Sequence, residues 1–434
     1  MKLSTSPYKG ARDFYPEDQA LREYMFGVMK QTVEKYGYQE YDAPLIEPIE
    51  LYRAKSGEEI VSEQTYTFID RGGREVAIRP EMTPTVSRMV AARRQQLGYP
   101  LRWFSIPNLW RYERPQRGRF REHWQLNVDL FGVKSMSAEL ELMMVAGDIF
   151  KAFGAGPEMY SFRVNHRKLL DEIFFSELKL SQNQAVSMAH LIDRRNKIDH
   201  SQFLKYVDEL LTASQKENLV AEKLLKILET KSLSELPASL RSNPAAIELQ
   251  KLLSSCSKYG LDNVIFDISL VRGFDYYSGI VFELFDNDPD NKRSMLGGGR
   301  YDGLVGLFGV DPLPTVGFGL GDATLLNFLT LHHLLPMLKS TVELIITPLS
   351  AGEVLDGATL AANDLRKLGI NVAVDYSERK LADQFKSAQK KQVNFVLIVG
   401  PKEIATQKFT LRNLAESSET ILSLKQVASK LGTK

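Results

Sequence analysis

The segment between Asn108 and Arg121 is unusually rich in cationic side chains, with arginines at positions 111, 114, 117, 119 and 121. On a β-strand, Arg111 and Glu113 would point to the same face. A guanidinium there can hold a phosphate through two parallel hydrogen bonds, while the carboxylate orients other groups. The segment therefore indicates phosphate binding. On the residues alone, a solvated charged hairpin remains an alternative.

A second segment, from Arg79 to Pro84, places the carboxylate of Glu81 two residues before the hydroxyl of Thr83. A carboxylate is the expected partner of a substrate ammonium group. The alternative is structural, because either side chain could cap a helix that begins near Thr85.

Two further segments combine aromatic residues with arginine and glycine. The stretch from Ser269 to Gly279 contains Arg272, Tyr276 and Tyr277, and three glycines precede Arg300 and Tyr301. Glycines allow a backbone to approach a ligand closely, although a bulge or turn needs them too. The tyrosines could instead be core aromatics with satisfied hydroxyls.

Composition places the chain among ordinary globular proteins. It has 434 residues, 44% hydrophobic and 25% charged, with a net charge of +1. Any nucleic-acid partner must therefore be held by local basic patches. The single cysteine, Cys256, excludes a disulfide framework or a thiolate zinc site within the chain. The scattered histidines show no metal-ligand spacing, so no resident metal is predicted. The start of the sequence does not read as a signal peptide, and no apolar run reaches membrane length, so we expect a cytoplasmic protein.

Hydrophobic periodicity predicts the elements that carry these segments. A helix is expected from an N-cap at Asp18 toward Tyr36, with Gly37 as its stop. Residues 101–112 and 123–131 read as an antiparallel pair joined by the basic loop. Ser137 is the expected cap of the next helix.

The sequence changes character three times, which predicts four segments. Residues 1–168 and 261–336 carry the chemical motifs, and between them residues 169–260 read as a helical insertion with few aromatics. Strands alternate with helices in residues 337–434, which indicates a small separate α/β domain.

Several of these motifs resemble those of one enzyme class. Arg111-Tyr112-Glu113 and the loop after it look like motif 2 of class II aminoacyl-tRNA synthetases, and the stretch from Ser269 to Gly279 resembles the signature of the histidyl-tRNA synthetase family. Lys9-Gly10-Ala11-Arg12-Asp13 is similar to that family's opening, Pro44 to the motif 1 proline at its dimer interface, and residues 376–381 to its anticodon-binding domain. The resemblance implies an α+β fold: a class II synthetase core on an antiparallel sheet with a helical insertion, followed by a small α/β anticodon-binding domain.

The resemblance also implies roles for individual residues. Arg111 and Arg272 would be catalytic, holding the ATP α-phosphate from opposite sides. Glu113 and Arg119 would also bind ATP, while Arg117 and Arg119 would approach the nucleotide or the tRNA acceptor end. Histidine would be bound by a set drawn from four segments: Glu81, Thr83, Gln125, Asp129, Arg272, Tyr276, Tyr277 and Tyr301. The implied reaction joins L-histidine to tRNA(His) through histidyl-adenylate, with ATP as a substrate and Mg²⁺ as a cofactor. The resemblance also implies a homodimer with no membrane partner.

Two positions depart from the family pattern. Asp129 is one methylene shorter than the acid that usually faces the imidazole, and Thr324 stands where an arginine that holds the γ-phosphate is expected. Arg119, Arg300 or another loop arginine, with Mg²⁺, would then have to supply that charge, and Arg119 is the residue we favour.

The missing arginine also leaves rival functions open. One is a non-catalytic, histidine-binding regulatory paralogue in histidine biosynthesis, although the Arg272 motif and the C-terminal domain oppose it. Another is a class II ligase for proline or threonine, which the Ser269–Gly279 segment opposes. A third is a tRNA-sensing module without chemistry.

Overall fold

The computed structural model describes residues 3–53, 64–116, 118–195, 198–271, 276–291, 293–338 and 340–432. Arg117 and Arg272, both singled out by the sequence, lie outside the described residues. The chain divides into two compact units, Met1–Leu335 and Pro336–Lys434.

The first unit combines helices with two sheets. Its helices are α1 (Pro16–Lys35), α2 (Glu50–Arg53), α3 (Thr83–Ala92), α4 (Ser137–Ala152), α5 (Arg167–Asp171), α6 (Gln182–Asp193), α7 (His200–Leu210), α8 (Ala213–Glu217), α9 (Val220–Leu228), α10 (Ala238–Arg241), α11 (Pro244–Lys258) and α12 (Asp322–Leu331). Its strands are β1 (Gln39–Glu40), β2 (Ile46–Pro48), β3 (Tyr66–Ile69), β4 (Glu75–Ile78), β5 (Leu101–Ser105), β6 (Asn108–Trp110), β7 (Glu122–Phe131), β8 (Tyr160–His166), β9 (Val264–Phe266), β10 (Ile280–Asp286), β11 (Ser294–Arg300) and β12 (Thr315–Gly321).

The larger sheet is antiparallel through its centre. In the described residues its order is β1-β5-β7-β12-β11-β10-β8-β9, with β6 also paired to β7. Only the edge pairs β1–β5 and β8–β9 run parallel. Strands β2, β4 and β3 form a separate small antiparallel sheet. The large sheet is the antiparallel platform that the sequence predicted.

Strand β7 has two chemically different faces because side chains alternate along a strand. Leu126, Val128 and Leu130 are buried in the same core cluster as Leu142 and Ile149 of α4. The intervening residues are polar and face the other side of the sheet. The apolar face of the sheet is therefore covered by helices, while the polar face is available for a ligand.

Several predicted boundaries were wrong by one or more residues. Helix α1 begins at Pro16 after an N-cap at Tyr15, so Asp18 lies in the first turn and is not the cap. Its carboxylate still stabilises the helix there, because the N-terminal end of the helix dipole is positive. Ser137 is the first residue of α4, whose N-cap is Met136. Residues 101–112 form two strands and not one, separated at Ile106 and Pro107, because proline cannot donate to a sheet ladder.

The segment between β8 and β9 is helical, as its composition indicates. It contains α5 to α11 and a π-helical turn at Glu172–Glu177. Two of its helices begin at capping boxes, in which Ser181 and Thr212 exchange hydrogen bonds with the glutamine three residues later. Its apolar residues belong to the same buried cluster as the sheet, so it packs as part of the first unit.

The second unit has a sheet of its own, ordered β14-β13-β15-β16-β17 in the described residues. The strands are β13 (Leu344–Pro348), β14 (Val372–Val374), β15 (Phe395–Val399), β16 (Phe409–Asn413) and β17 (Ser418–Leu422). The helices are α13 (Glu353–Lys367), α14 (Leu381–Lys390), α15 (Pro401–Thr406) and α16 (Leu424–Leu431). Strands β14, β13 and β15 are parallel, which gives the predicted α/β character. Within the described part of the chain, no helix has the length and apolar character to cross a membrane.

Candidate active site

A cavity of about 90 Å³ lies over the polar face of the large sheet. Its wall contains eight residues singled out by the sequence: Glu81, Thr83, Arg111, Gln125, Asp129, Tyr276, Tyr277 and Tyr301. They come from segments far apart in the chain and converge on one small space. Polar groups that converge with aromatic side chains on a concave space are typical of a small-molecule site, where the polar groups fix the ligand's orientation.

The cavity also contains Gly297, the first of the three glycines noted in the sequence, and residues that the sequence analysis missed: Asn127, Gly317, Phe318 and Gly319. Asn127 could have been found, since it lies between Gln125 and Asp129 in the same two-residue alternation. The glycines of β12 could not, because their role depends on which strand pairs with β7.

Asp129 is the buried acid of the site. Its side chain is 4% exposed, and the Tyr301 hydroxyl donates a hydrogen bond to its Oδ1. Burial raises the pKa of Asp129 to about 7, while the hydrogen bond from Tyr301 acts in the opposite direction. This carboxyl group is therefore poised to change charge near neutral pH.

Three tyrosines surround the acid end of the cavity. The ring centroids of Tyr276 and Tyr277 are 4.6 Å apart, and that of Tyr301 is 6.0 Å from Tyr276. Burial raises the pKa of Tyr301 well above the ordinary tyrosine value, with Asp129 adding to the effect. Its hydroxyl is therefore a neutral donor that orients the carboxyl group.

Two glycines of β12 leave room for these polar groups. Gly317 lies opposite Asp129 across the strand pair. A Cβ there would stand 2.1 Å from Asp129 Oδ1 and 2.8 Å from the Tyr301 hydroxyl. A Cβ at Gly319 would stand 2.7 Å from Gln125 Nε2. Larger residues on β12 would push both polar side chains out of place.

Glu81 and Thr83 enter the cavity beside the start of α3. The N-cap of α3 is Met82, which makes no side-chain capping bond. Thr83 is already inside the helix, so the capping alternative for these two residues was wrong. Glu81 is 7% exposed. Arg111 Nε donates to the carbonyl oxygen of Pro80 at 2.8 Å, which fixes the guanidinium next to this segment.

The basic loop holds its arginines in specific contacts. Arg119 Nη2 lies 2.6 Å from Glu113 Oε1, and Arg119 Nε contacts the other carboxylate oxygen. Arg121 donates to the Tyr8 hydroxyl at 3.0 Å and lies 3.9 Å from the Tyr112 ring centroid. The two residues predicted to bind ATP, Glu113 and Arg119, are thus paired with each other.

Two further positions bear on the expected γ-phosphate contact. The Thr324 hydroxyl donates to the carbonyl oxygen of Gly321 at 3.0 Å and to that of Met295 at 3.2 Å. Arg300 is bound by Glu139 at 2.6 and 2.7 Å and donates to the carbonyls of Val133 and Ser135. Arg300 is therefore a structural residue, and the idea that it could replace the missing arginine was wrong.

The antiparallel platform, its helical cover and the arginine of the motif 2 segment above the cavity define the catalytic core of a class II aminoacyl-tRNA synthetase. The family model for histidyl-tRNA synthetase matches residues 10–325, and that for an anticodon-binding domain matches residues 343–434. The chain therefore belongs to the histidyl-tRNA synthetase family.

Similar proteins match along the whole chain. A histidine–tRNA ligase from Leptospira biflexa is 48% identical over 99% of this chain and 98% of its own length. One from Haloarcula marismortui is 35% identical over 96% of this chain and 95% of its own length. The crystal structure of histidyl-tRNA synthetase from Nostoc sp. PCC 7120 has the same fold, with a TM-score of 0.80 at 23% identity over 99% of both chains. The predicted fold and the predicted class of ligase are confirmed, and the regulatory alternative is not favoured.

Proposed function

We propose that the chain charges tRNA(His) with histidine in two steps at this cavity. The histidine carboxylate oxygen attacks the α-phosphorus of ATP, forming histidyl-adenylate and releasing pyrophosphate. A ribose hydroxyl of the tRNA 3′ end then attacks the carbonyl carbon and releases AMP. The observation that carries the proposal is the convergence of eight motif residues on one cavity whose floor holds a buried acid.

Each end of the cavity suits one end of histidine. Glu81 carries the charge that an α-ammonium group requires, and the Thr83 hydroxyl can accept a second hydrogen bond from it. At the opposite end, Asp129 held by Tyr301 would receive an imidazole N–H. Gln125 of β7 also lines the cavity. Tyr276 and Tyr277 form the aromatic wall beside the imidazole.

Catalysis then depends on position and charge, because no protein nucleophile is required. Arg111 would hold the α-phosphate, since its guanidinium is fixed by the Pro80 carbonyl next to Glu81. Arg272, assigned from the resemblance of its motif, would contact the same phosphate from the other side. Removing either charge would raise the energy of the transition state more than that of bound histidine.

ATP would enter with Mg²⁺ already on its phosphate oxygens, which is how this ion commonly binds. The pair between Glu113 and Arg119 must then rearrange, because both side chains belong to the nucleotide subsite. Arg119 is 43% exposed, so it can turn toward a phosphate at little cost in packing.

A homodimer is part of the proposal. The small sheet next to the motif 1 region exposes apolar side chains, among them Ile46, Phe68 and Ile69. Exposed apolar residues on neighbouring strands commonly mark a protein interface. The cytoplasm remains the proposed location, where tRNA and ATP are both available.

The deciding experiment is amino-acid-dependent ATP–pyrophosphate exchange on the purified full chain. Histidine should support exchange, whereas proline and threonine should not. Charging of tRNA(His) should follow when the tRNA is added. Protein that binds histidine but shows no exchange would instead support the regulatory function.

A further inference from the structure

Arg12 occupies a defined place beside the catalytic sheet. Its Nη2 lies 2.7 Å from Asp322 Oδ2, and its guanidinium carbon lies 4.3 Å from the centroid of the Phe120 ring. Phe14 covers it from another direction at 5.0 Å. The side chain is only 16% exposed. An arginine fixed in this way loses little further entropy when it binds an anion.

The location of Arg12 follows from the alternation along β7. His123 precedes Gln125, Asn127 and Asp129 at the same two-residue spacing, so it continues the row that forms the cavity floor. Burial, followed by the charges of Arg111, Arg12 and Arg119, lowers the pKa of His123 to about 3. The charges of three arginines therefore act on the end of the row next to the proposed nucleotide subsite.

Asp322 holds the Arg12 guanidinium in place but neutralises its charge only in part. Asp322 is the first residue of α12, where the helix dipole favours a carboxylate, and its Oδ1 accepts the backbone N–H of Trp124 at 3.1 Å. The carboxylate is thus shared between Arg12 and the Trp124 backbone N–H. Arg12 Nε is buried and has no hydrogen-bond partner among the described atoms. Asp322 therefore does not use all the donor groups of Arg12.

The same helical turn lacks a cation at the position where the family has one. Thr324 lies two residues after Asp322, and its hydroxyl is occupied by two backbone carbonyls. If the α-phosphate of ATP is bound by Arg111, its β- and γ-phosphates need a cationic partner to lie stably near this turn.

We infer that Arg12, held by Asp322, is a nucleotide-binding residue that contacts the outer phosphates of ATP in place of the arginine absent at Thr324. The inference rests on the proposed function and adds a residue to its ATP subsite. Arg12 supplies charge to the pyrophosphate part of ATP, and Asp322 is a positioning residue.

The competing explanation is purely structural: the ion pair between Arg12 and Asp322 would only attach the N-terminal segment to α12. Arg22 provides a matched control because its guanidinium lies 4.1 Å from the Phe14 centroid and 4.2 Å from that of Trp124. Arg12 contacts the same two rings, at 5.0 and 6.0 Å. The charge of Arg22 is not among those that act on His123.

The test compares Arg12→Ala, Arg12→Lys and Arg22→Ala in ATP–pyrophosphate exchange. Loss of a hydrogen bond to a charged group should raise the KM for ATP about tenfold or more in Arg12→Ala. The KM for histidine should stay within about twofold, since the histidine subsite keeps all its contacts. The KM for pyrophosphate, the second reactant of the exchange, should rise in parallel, whereas inhibition by adenosine should not change. Arg22→Ala should leave the ratio of the two KM values as it is.

A double variant adds a readout that a purely structural ion pair cannot reproduce. Thr324→Arg placed in Arg12→Ala should restore part of the lost ATP affinity. Arg12→Lys keeps the charge and most of the packing, so it reports on phosphate contact even if the alanine variant folds poorly. Unchanged KM for ATP in both Arg12 variants, or an equal loss of ATP, histidine and adenosine binding, would overturn the inference. Absence of exchange in the unmodified protein would instead count against the proposed function.

Discussion

At the scale of single residues, the proposed function makes Asp129 the group that distinguishes histidine from other amino acids. The sequence identified the residue and its short side chain as a departure from the family pattern. The structure adds its hydrogen bond from Tyr301 and its almost complete burial. Neither was predictable from the sequence, because both depend on residues 172 positions apart in the chain.

Asp129→Asn tests the role of this charge in substrate binding. Asparagine keeps the size and an acceptor for Tyr301 but removes the carboxylate that would receive the imidazole N–H. We expect the KM for histidine to rise about tenfold to 100-fold, as for hydrogen bonds to charged groups. The KM for ATP, measured in the same exchange assay, is the internal control and should change little. Equal effects on both substrates would argue against an imidazole contact.

The pKa of Asp129 also predicts a pH dependence of stability. Its folded value of about 7 lies above the ordinary value of 3.8, so the folded protein retains a proton that the unfolded chain releases between these limits. The contribution of this group to stability is therefore fully present below about pH 4 and is lost as pH rises through about 7. In Asp129→Asn the side chain does not titrate, so this pH-dependent loss of stability should be absent. The melting temperature of the variant, relative to that of the unmodified protein, should be higher at pH 8 than at pH 5. An equal difference between the two proteins at both pH values would contradict the assignment.

At the scale of elements, the sequence predicted β7 well because alternation is a local property, although Asn127 of its polar face was missed. It failed where structure depends on distant partners. It also overlooked two local proline signals: the strand breaks at Ile106 and Pro107, where proline cannot donate to the ladder, and α1 begins at Pro16. Pairing between β7 and β12 places Gly317 opposite Asp129, and no local pattern reveals that register.

Gly317→Ala tests this register directly. The added Cβ would meet the Asp129 carboxylate at 2.1 Å, so the acid must move and the floor of the cavity is lost. Histidine-dependent exchange should fall by about 10² or more, since misplacement of about 1 Å has effects of that size. Gly303→Ala is the control, because a Cβ there meets no atom within 4 Å of the described structure. Comparable activity in the two variants would show that Asp129 does not need this space.

At the scale of the whole molecule, the two units have independent cores. The core of the first unit is built around Phe104, Val128 and Leu142, while that of the second is built around Leu344, Leu365 and Leu397. Each unit also completes its own sheet. The sequence predicted this division near residue 336 from the change to alternating strands and helices, and the two compact units meet at Leu335 and Pro336. The boundaries of the helical insertion remain a prediction, since that segment shares the core of the sheet.

The independent cores make truncation after Leu335 a test of how the two units share the function. Residues 1–335 contain every described residue of the cavity and should fold alone, so histidine-dependent exchange should persist. Charging should fall, because the region matched by the anticodon-binding model is removed and tRNA would be held by one unit only. Loss of one of two linked binding modules lowers affinity by about 10² or more, so the KM for tRNA should rise to that extent. Exchange kinetics, charging kinetics and circular dichroism on the same preparation separate these effects. The isolated 336–434 segment, added in trans, should not restore charging, because the gain from linkage is lost. Full charging activity by the truncated chain would show that tRNA recognition resides in the first unit.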